Sequence, residues 1–146
     1  MEIRSVSSNC NCLGMFFDMK TRVVNRIPEW RFQAEVVARL HEMESAGLPL
    51  TCAGDMAAAK RSQAERMTAK VTGLTAGEPD VRVYLAGGRL ISIELKAAKG
   101  SRSAEQKARH ARLNALGFEV LNPRAPTPEA LADLVEAEIR KRLRGD

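Results

Sequence analysis

The stretch VRVYLAGGRLISIELK, residues 81–96, constrains the fold more than any other part of the chain. Strand side chains alternate between two faces. Val81, Val83 and Leu85 therefore share one face, and Asp80, Arg82 and Tyr84 the other. In the return strand Ile91, Ile93 and Leu95 oppose Ser92, Glu94 and Lys96. A two-residue Gly87-Gly88 turn would pair Val81 with Glu94, setting an apolar residue against a charge. A three-residue loop, Ala86 to Gly88, pairs Val81 with Ile93 and Val83 with Ile91, and sets Asp80 beside Glu94. Such loops commonly end on a left-handed glycine, which Gly88 supplies. Because the buried face dictates register, the second arrangement is predicted.

This hairpin has one apolar face and one that carries Asp80, Glu94 and Lys96. Adjacent carboxylates repel, and without a counter-charge one tends to protonate. Lys96 compensates in part, and a hard divalent cation such as Mg²⁺ or Mn²⁺ does so better. The plainer alternative is a salt-bridge ladder on an exposed sheet face.

Elsewhere the pattern is helical. PEWRFQAEVVARLHEMESAG opens on Pro28, closes on Gly47 and buries Phe32, Val36, Leu40 and Met43 as one stripe. Glu29 falls on that stripe, predicting an inward-facing acid, although an acid in a first turn is also favoured by the helix dipole. LPLTCAG reads as a short strand or a loop, and DMAAAKRSQAERMTAKVTG as a second helix stopped by Gly73. A third helix runs from the Ser103 cap to Gly117. FEVLNP is a short strand, and Thr127-Pro128 opens a last helix. The order predicts an α/β sandwich with a small mixed sheet. Residues 1–26 lack periodicity and read as a flexible tail before a single domain over 27–146.

Composition narrows the partners. A net charge of +5 with basic clusters in KAAKGSRSAEQKARHAR and RKRLRGD favours a polyanion, nucleic acid first. Aromatics at 4% argue against a stacking platform for single strands. Cys10, Cys12 and Cys52, with His41 and His110, lack zinc-ligand spacing and read as idle reduced thiols. No apolar run suits a membrane span and no secretion signal opens the chain, so a cytoplasmic protein is expected.

With these residues in place, Pro79-Asp80 followed by Glu94-Leu95-Lys96 resembles the PD-(D/E)XK nuclease signature, and the wider pattern resembles its VRR-NUC branch. Glu29 to Gln33 matches E-x-x-F-Q, Gly73 to Asp80 matches G-x-x-x-G-x-P-D, and Ser103 to Gln106 matches S-x-x-Q. Leu116-Gly117 before FEVL completes a match over residues 28–121. The resemblance implies a restriction-endonuclease-like core, a small mixed β-sheet flanked by helices, and hydrolysis of DNA by an Mg²⁺- or Mn²⁺-dependent endonuclease. Asp80 and Glu94, with the Leu95 carbonyl, would hold the metal. Lys96 would orient or help deprotonate the attacking water. Glu29 would complete the site, and Gln106 would contact it or the DNA backbone.

Ser103 and Gln106 also form a capping box, which accounts for that glutamine equally well. Glu78 departs from the family's apolar or small residue before proline and is expected to face solvent. Lys99, Arg102, Lys107, Arg109 and Arg112 lie near the acidic face in sequence and are candidate phosphate contacts. Small stand-alone members resemble virus-encoded or resolvase-like enzymes, which implies branched or junction DNA, a homodimer for paired cuts, and a setting in DNA repair or phage biology. The alternatives are a non-catalytic nucleic-acid-binding module, or a nuclease subunit of a larger repair or restriction assembly.

Overall fold

A computed structural model describes residues 27–55 and 62–145. The expected N-terminal tail, Cys10, Cys12 and residues 56–61 of the expected second helix lie outside the described residues. The sequence predicts that helix from Asp55, but Asp55 is not helical and Ser62 caps a helix that starts at Gln63. The elements are α1 (Glu29–Ser45), β1 (Leu50–Gly54), α2 (Gln63–Val71), β2 (Val81–Leu85), β3 (Arg89–Ile93), β4 (Lys96–Ala97), α3 (Ala104–Ala115), β5 (Glu119–Leu121), β6 (Arg124–Ala125) and α4 (Pro128–Arg144).

The hairpin has the expected register. Val81 faces Ile93 and Val83 faces Ile91 across an antiparallel ladder. Gly87 and Gly88 both take positive φ, 78° and 74°, where a Cβ would be strained. LPLTCAG resolves as a strand, β1, which pairs antiparallel with β2. β5 joins the other side of β3 in parallel, giving a mixed sheet of order β1-β2-β3-β5. Parallel neighbours need a long crossover, and α3 supplies it.

The two faces of this sheet are covered differently. Val81, Val83, Ile91 and Ile93 form one core with Phe32, Val36, Leu40 and Met43 of α1 and Leu131, Val135 and Ile139 of α4. The α1 stripe is thus the expected one, though Pro28 is the N-cap and not the first helical residue. On the other face α3 lies over the end of β3, and Ser92, Glu94, His110 and Leu113 are all buried. This face is not an exposed ladder.

One strand is shorter than expected. ISIELK does not continue to Lys96: β3 stops at Ile93, and Lys96–Ala97 pairs in parallel with Arg124–Ala125 as a separate two-stranded sheet. At the break the Leu95 amide donates to the Asp80 Oδ2 carboxylate oxygen at 2.8 Å. The side chain just before β2 thereby meets the backbone just after β3.

Candidate functional site

The site is assembled where β2 begins and β3 ends. Asp80 is pinned through its backbone first: its carbonyl accepts from the Asp55 amide at 2.7 Å and from Gln33 Nε2 at 3.1 Å. Gln33 also donates to the Asp55 carbonyl at 3.0 Å, tying α1 to the ends of β1 and β2. Space there is tight, since a Cβ on Gly54 would lie 2.9 Å from Gln33 Nε2. Burial, above all, raises the Asp80 carboxyl to about 6; Glu94 and Glu29 add to the rise, and the Leu95 amide and Lys96 oppose it. Burying a carboxylate beside two others disfavours its charged form.

Glu94 is wholly inaccessible, yet its side chain is surrounded by polar groups. Lys96 Nζ lies 2.8 Å from Oε1, and Gln106 Nε2 donates to the same oxygen at 2.5 Å. Oε2 has no hydrogen-bond partner; the His110 Nε2 atom faces it at 3.3 Å. A buried carboxylate oxygen left unpaired is costly, and such a group calls for an explanation.

Gln106 performs both of the tasks that its spacing allows. Its amide oxygen accepts from the Ser103 amide at 2.9 Å in a complete capping box, while its amide nitrogen reaches Glu94. The N-terminus of α3 is held close by Gly77, at φ 77°, where a Cβ would sit 2.6 Å from the Glu105 carbonyl.

Glu29 corrects the inward prediction. It is exposed. It lines a cleft of about 740 Å³ together with Phe32, Leu95, Lys96, Lys99 and Gly100, among others. Glu29 thus shares the cleft with Lys96, and its charge is felt at Asp80.

The expected phosphate contacts divide into two groups. Lys99, Lys107 and Arg112 are exposed and make no ion pair among the described residues, and Lys99 lines the cleft. Arg109 and Arg102 are committed to internal contacts. Arg109 Nε lies 2.7 Å from Glu78 Oε2, and Arg82 Nη2 lies 2.8 Å from Glu78 Oε1. Glu78 is therefore an 11% exposed bridge between β2 and α3, not a solvated acid. Two guanidiniums hold its carboxyl below the usual range despite its burial. Arg102 Nη1 approaches His110 Nδ1 at 3.4 Å.

Sequence reasoning passed over His110. Its only sequence signal is its place four residues after Gln106, one helical turn further along the same face. Burial first, then Arg102, lowers its pKa, so the ring stays neutral near pH 7. Cys52, a cysteine within the described residues, is half-buried, and burial pushes its thiol pKa up.

Among the described residues no cluster of three or more His, Cys, Asp and Glu side chains has metal-site geometry, and no helix is long and apolar enough to cross a membrane. The donor set still suits a hard cation. Asp80 and Glu94 supply two carboxylates, Oε2 of Glu94 is unpaired, and Leu95 lines the adjoining cleft. Mg²⁺ is commonly held by only one or two carboxylates with water completing its shell.

No family model and no curated protein matches the chain. A solved structure described as a VRR_NUC domain is similar at a TM-score of 0.47 and 17% identity, over 74% of this chain and 94% of that one.

Proposed function

We propose that the protein is a metal-dependent endonuclease that hydrolyses DNA phosphodiester bonds and selects its substrate by shape, with branched or junction DNA as the preferred class. The observation that carries this is the convergence of Asp80, the buried Glu94 and Lys96 beside the cleft. The order of the motifs around them, which resembles the VRR-NUC pattern, supports it. A purely binding surface gains nothing from buried acids facing phosphate.

Asp80 and Glu94, with the Leu95 carbonyl, would hold Mg²⁺ or Mn²⁺. When bound, that cation supplies an activated water and charge relief on the non-bridging phosphate oxygens. Gln106 and the Leu95 amide orient the two carboxylates. Lys96 is paired with Glu94 and can pass from it to a water or a phosphate oxygen, stabilising developing negative charge. Glu29, which lines the cleft, can hold a further water. Lys99, Lys107 and Arg112 would contact the phosphate backbone, which positions DNA but carries little sequence information. Paired cuts across a junction would require two sites, hence a homodimer.

The test is cleavage of end-labelled four-way junction, flap, single-stranded and linear duplex DNA with Mg²⁺, Mn²⁺ or chelator, beside Lys96→Ala. Paired nicks in the junction that need both metal and Lys96 support the full reading. Cutting confined to flaps or single strands retains the nuclease and rejects the junction. Salt-sensitive binding without metal-dependent cleavage on any substrate indicates a binding module instead.

A further inference from the structure

His110 has no role in the chemistry above, yet it is 2% exposed and lies against the wholly buried Glu94. Each of its ring nitrogens meets a different kind of group. Nδ1 faces the Arg102 guanidinium at 3.4 Å, and a guanidinium can only donate. Nε2 faces Glu94 Oε2 at 3.3 Å, and an ionised carboxylate can only accept. The Asn122 side chain also interacts with this ring. Its amide nitrogen donates to the Val120 carbonyl at 3.3 Å, leaving the unpaired Oδ1 as a second acceptor.

One tautomer suits both of the ring's charged neighbours. With the proton on Nε2, Arg102 has its acceptor at Nδ1, and the unpaired Glu94 Oε2 gains a donor. With the proton on Nδ1, donor would face donor on one side and acceptor would face acceptor on the other. A neutral imidazole always has one donor and one acceptor nitrogen, so the surroundings select the form.

We propose that His110 is a positioning residue for Glu94: its Nε2–H, selected by Arg102 on Nδ1, holds Oε2 from the α3 side while Lys96 and Gln106 hold Oε1. Glu94 would then be gripped at both oxygens, and its carboxylate plane could not rotate about the last side-chain bond. Such outer contacts commonly set the orientation of carboxylates that serve a cation. The inference rests on the nuclease reading only for its consequence at the metal, since the grip on Glu94 belongs to the protein alone.

The experiment has two arms, both on the full chain. The first records the ring nitrogens by long-range ¹H–¹⁵N correlation without metal at neutral pH. The chain has 2 histidines, and His41 is exposed, so assignment is direct. A ring protonated on Nε2 alone is expected, and Arg102→Leu should erode that preference. A ring protonated on Nδ1, or on both nitrogens, overturns the proposal whatever the protein does with metal.

The second arm titrates Mn²⁺ calorimetrically into wild type, His110→Gln and His110→Phe. The glutamine amide can place a donor where Nε2 stood, and phenylalanine fills the space without one. His110→Phe should bind Mn²⁺ about 10–100-fold more weakly, with His110→Gln recovering most of the loss. Wild-type affinity in a folded His110→Phe, or equal losses in both variants, overturns the proposal. If His110→Phe does not fold, the glutamine variant and the ring resonances decide. If wild type binds no Mn²⁺, the metal reading of the site fails, and the ring resonances alone decide the grip on Glu94.

Discussion

Lys96 Nζ rests 2.8 Å from Glu94 Oε1, so the cation two residues along the chain neutralises the acid buried inside the protein. The contact joins residues on either side of the break after β3, beyond which Lys96 pairs with Arg124. In the proposed reaction the same ammonium must serve the phosphate. Lys96→Met should lower the single-turnover cleavage rate by about 10²–10³-fold, the scale of losing one preorganised charge. DNA binding should persist, and Lys96→Arg should not restore the rate, because a planar fork does not replace a compact ammonium. Wild-type turnover in Lys96→Met would remove the residue from the mechanism.

Asp80 makes metal-free stability depend on pH. Its carboxyl titrates at about 6, above its unfolded value, chiefly because of burial. The folded protein therefore binds the proton more tightly, and its stability falls as pH rises through the interval from roughly 4 to 6. Asp80→Asn keeps an acceptor for the Leu95 amide without the charge. It should stabilise the metal-free protein above pH 6, by at most about 3 kcal/mol. Adding Mg²⁺ should raise the wild-type melting temperature at pH 7.5 and leave Asp80→Asn unmoved. Melts across pH, with metal and with chelator, check both statements.

The two duties of Gln106 can be separated from its partner in the cap. Ser103→Ala removes the side-chain acceptor of the capping box and should cost about 1 kcal/mol, with cleavage nearly unchanged. Gln106→Ala loses the reciprocal bond and also the donor to buried Glu94, and should cost about 1–3 kcal/mol more. Its cleavage rate should fall as well. Denaturant melts and rates on the two variants give the comparison, and equal rates would limit Gln106 to the cap.

The basic residues should behave as two populations. Lys99→Ala, Lys107→Ala and Arg112→Ala should each weaken DNA binding and reduce its salt dependence by about one counterion, without lowering melting temperature. Arg109→Ala should instead lower the melting temperature, because Glu78 loses one of two partners that hold it between β2 and α3. Binding isotherms at several salt concentrations, read beside melts, distinguish the groups.

Gly77 tests how closely α3 must approach the site. Gly77→Ala forces a positive φ, at roughly 1–2 kcal/mol, and drives a Cβ to 2.6 Å from the Glu105 carbonyl. The helix end bearing Gln106 must then retreat. The variant should melt lower than Gly87→Ala, where φ is 78° but nothing lies within 4 Å.

Alternation and turn chemistry were enough to register β2 against β3, since one slip would have set Val81 against Glu94. The α1 stripe and the caps at Ser103 and Thr127 were equally local, because a single turn of helix contains both halves of each contact. The pairing of Asp80 with the end of β3 followed from that register. Other features of the site needed the third dimension. The fate of Glu29 depends on the cleft that residues 95–101 form beside it, which periodicity does not encode. Arg109 and Glu78 are 31 residues apart, and charge patterning alone made one a phosphate contact and the other a surface acid. His110 gains its surroundings only when α3 folds over β3 and brings Glu94, Arg102 and Asn122 around one ring. Local sequence thus determined the elements and the hairpin that presents the acids. Tertiary packing decided which of those acids are buried and which cations they keep, because desolvation and long-range pairing are properties of a closed interior and not of any one segment.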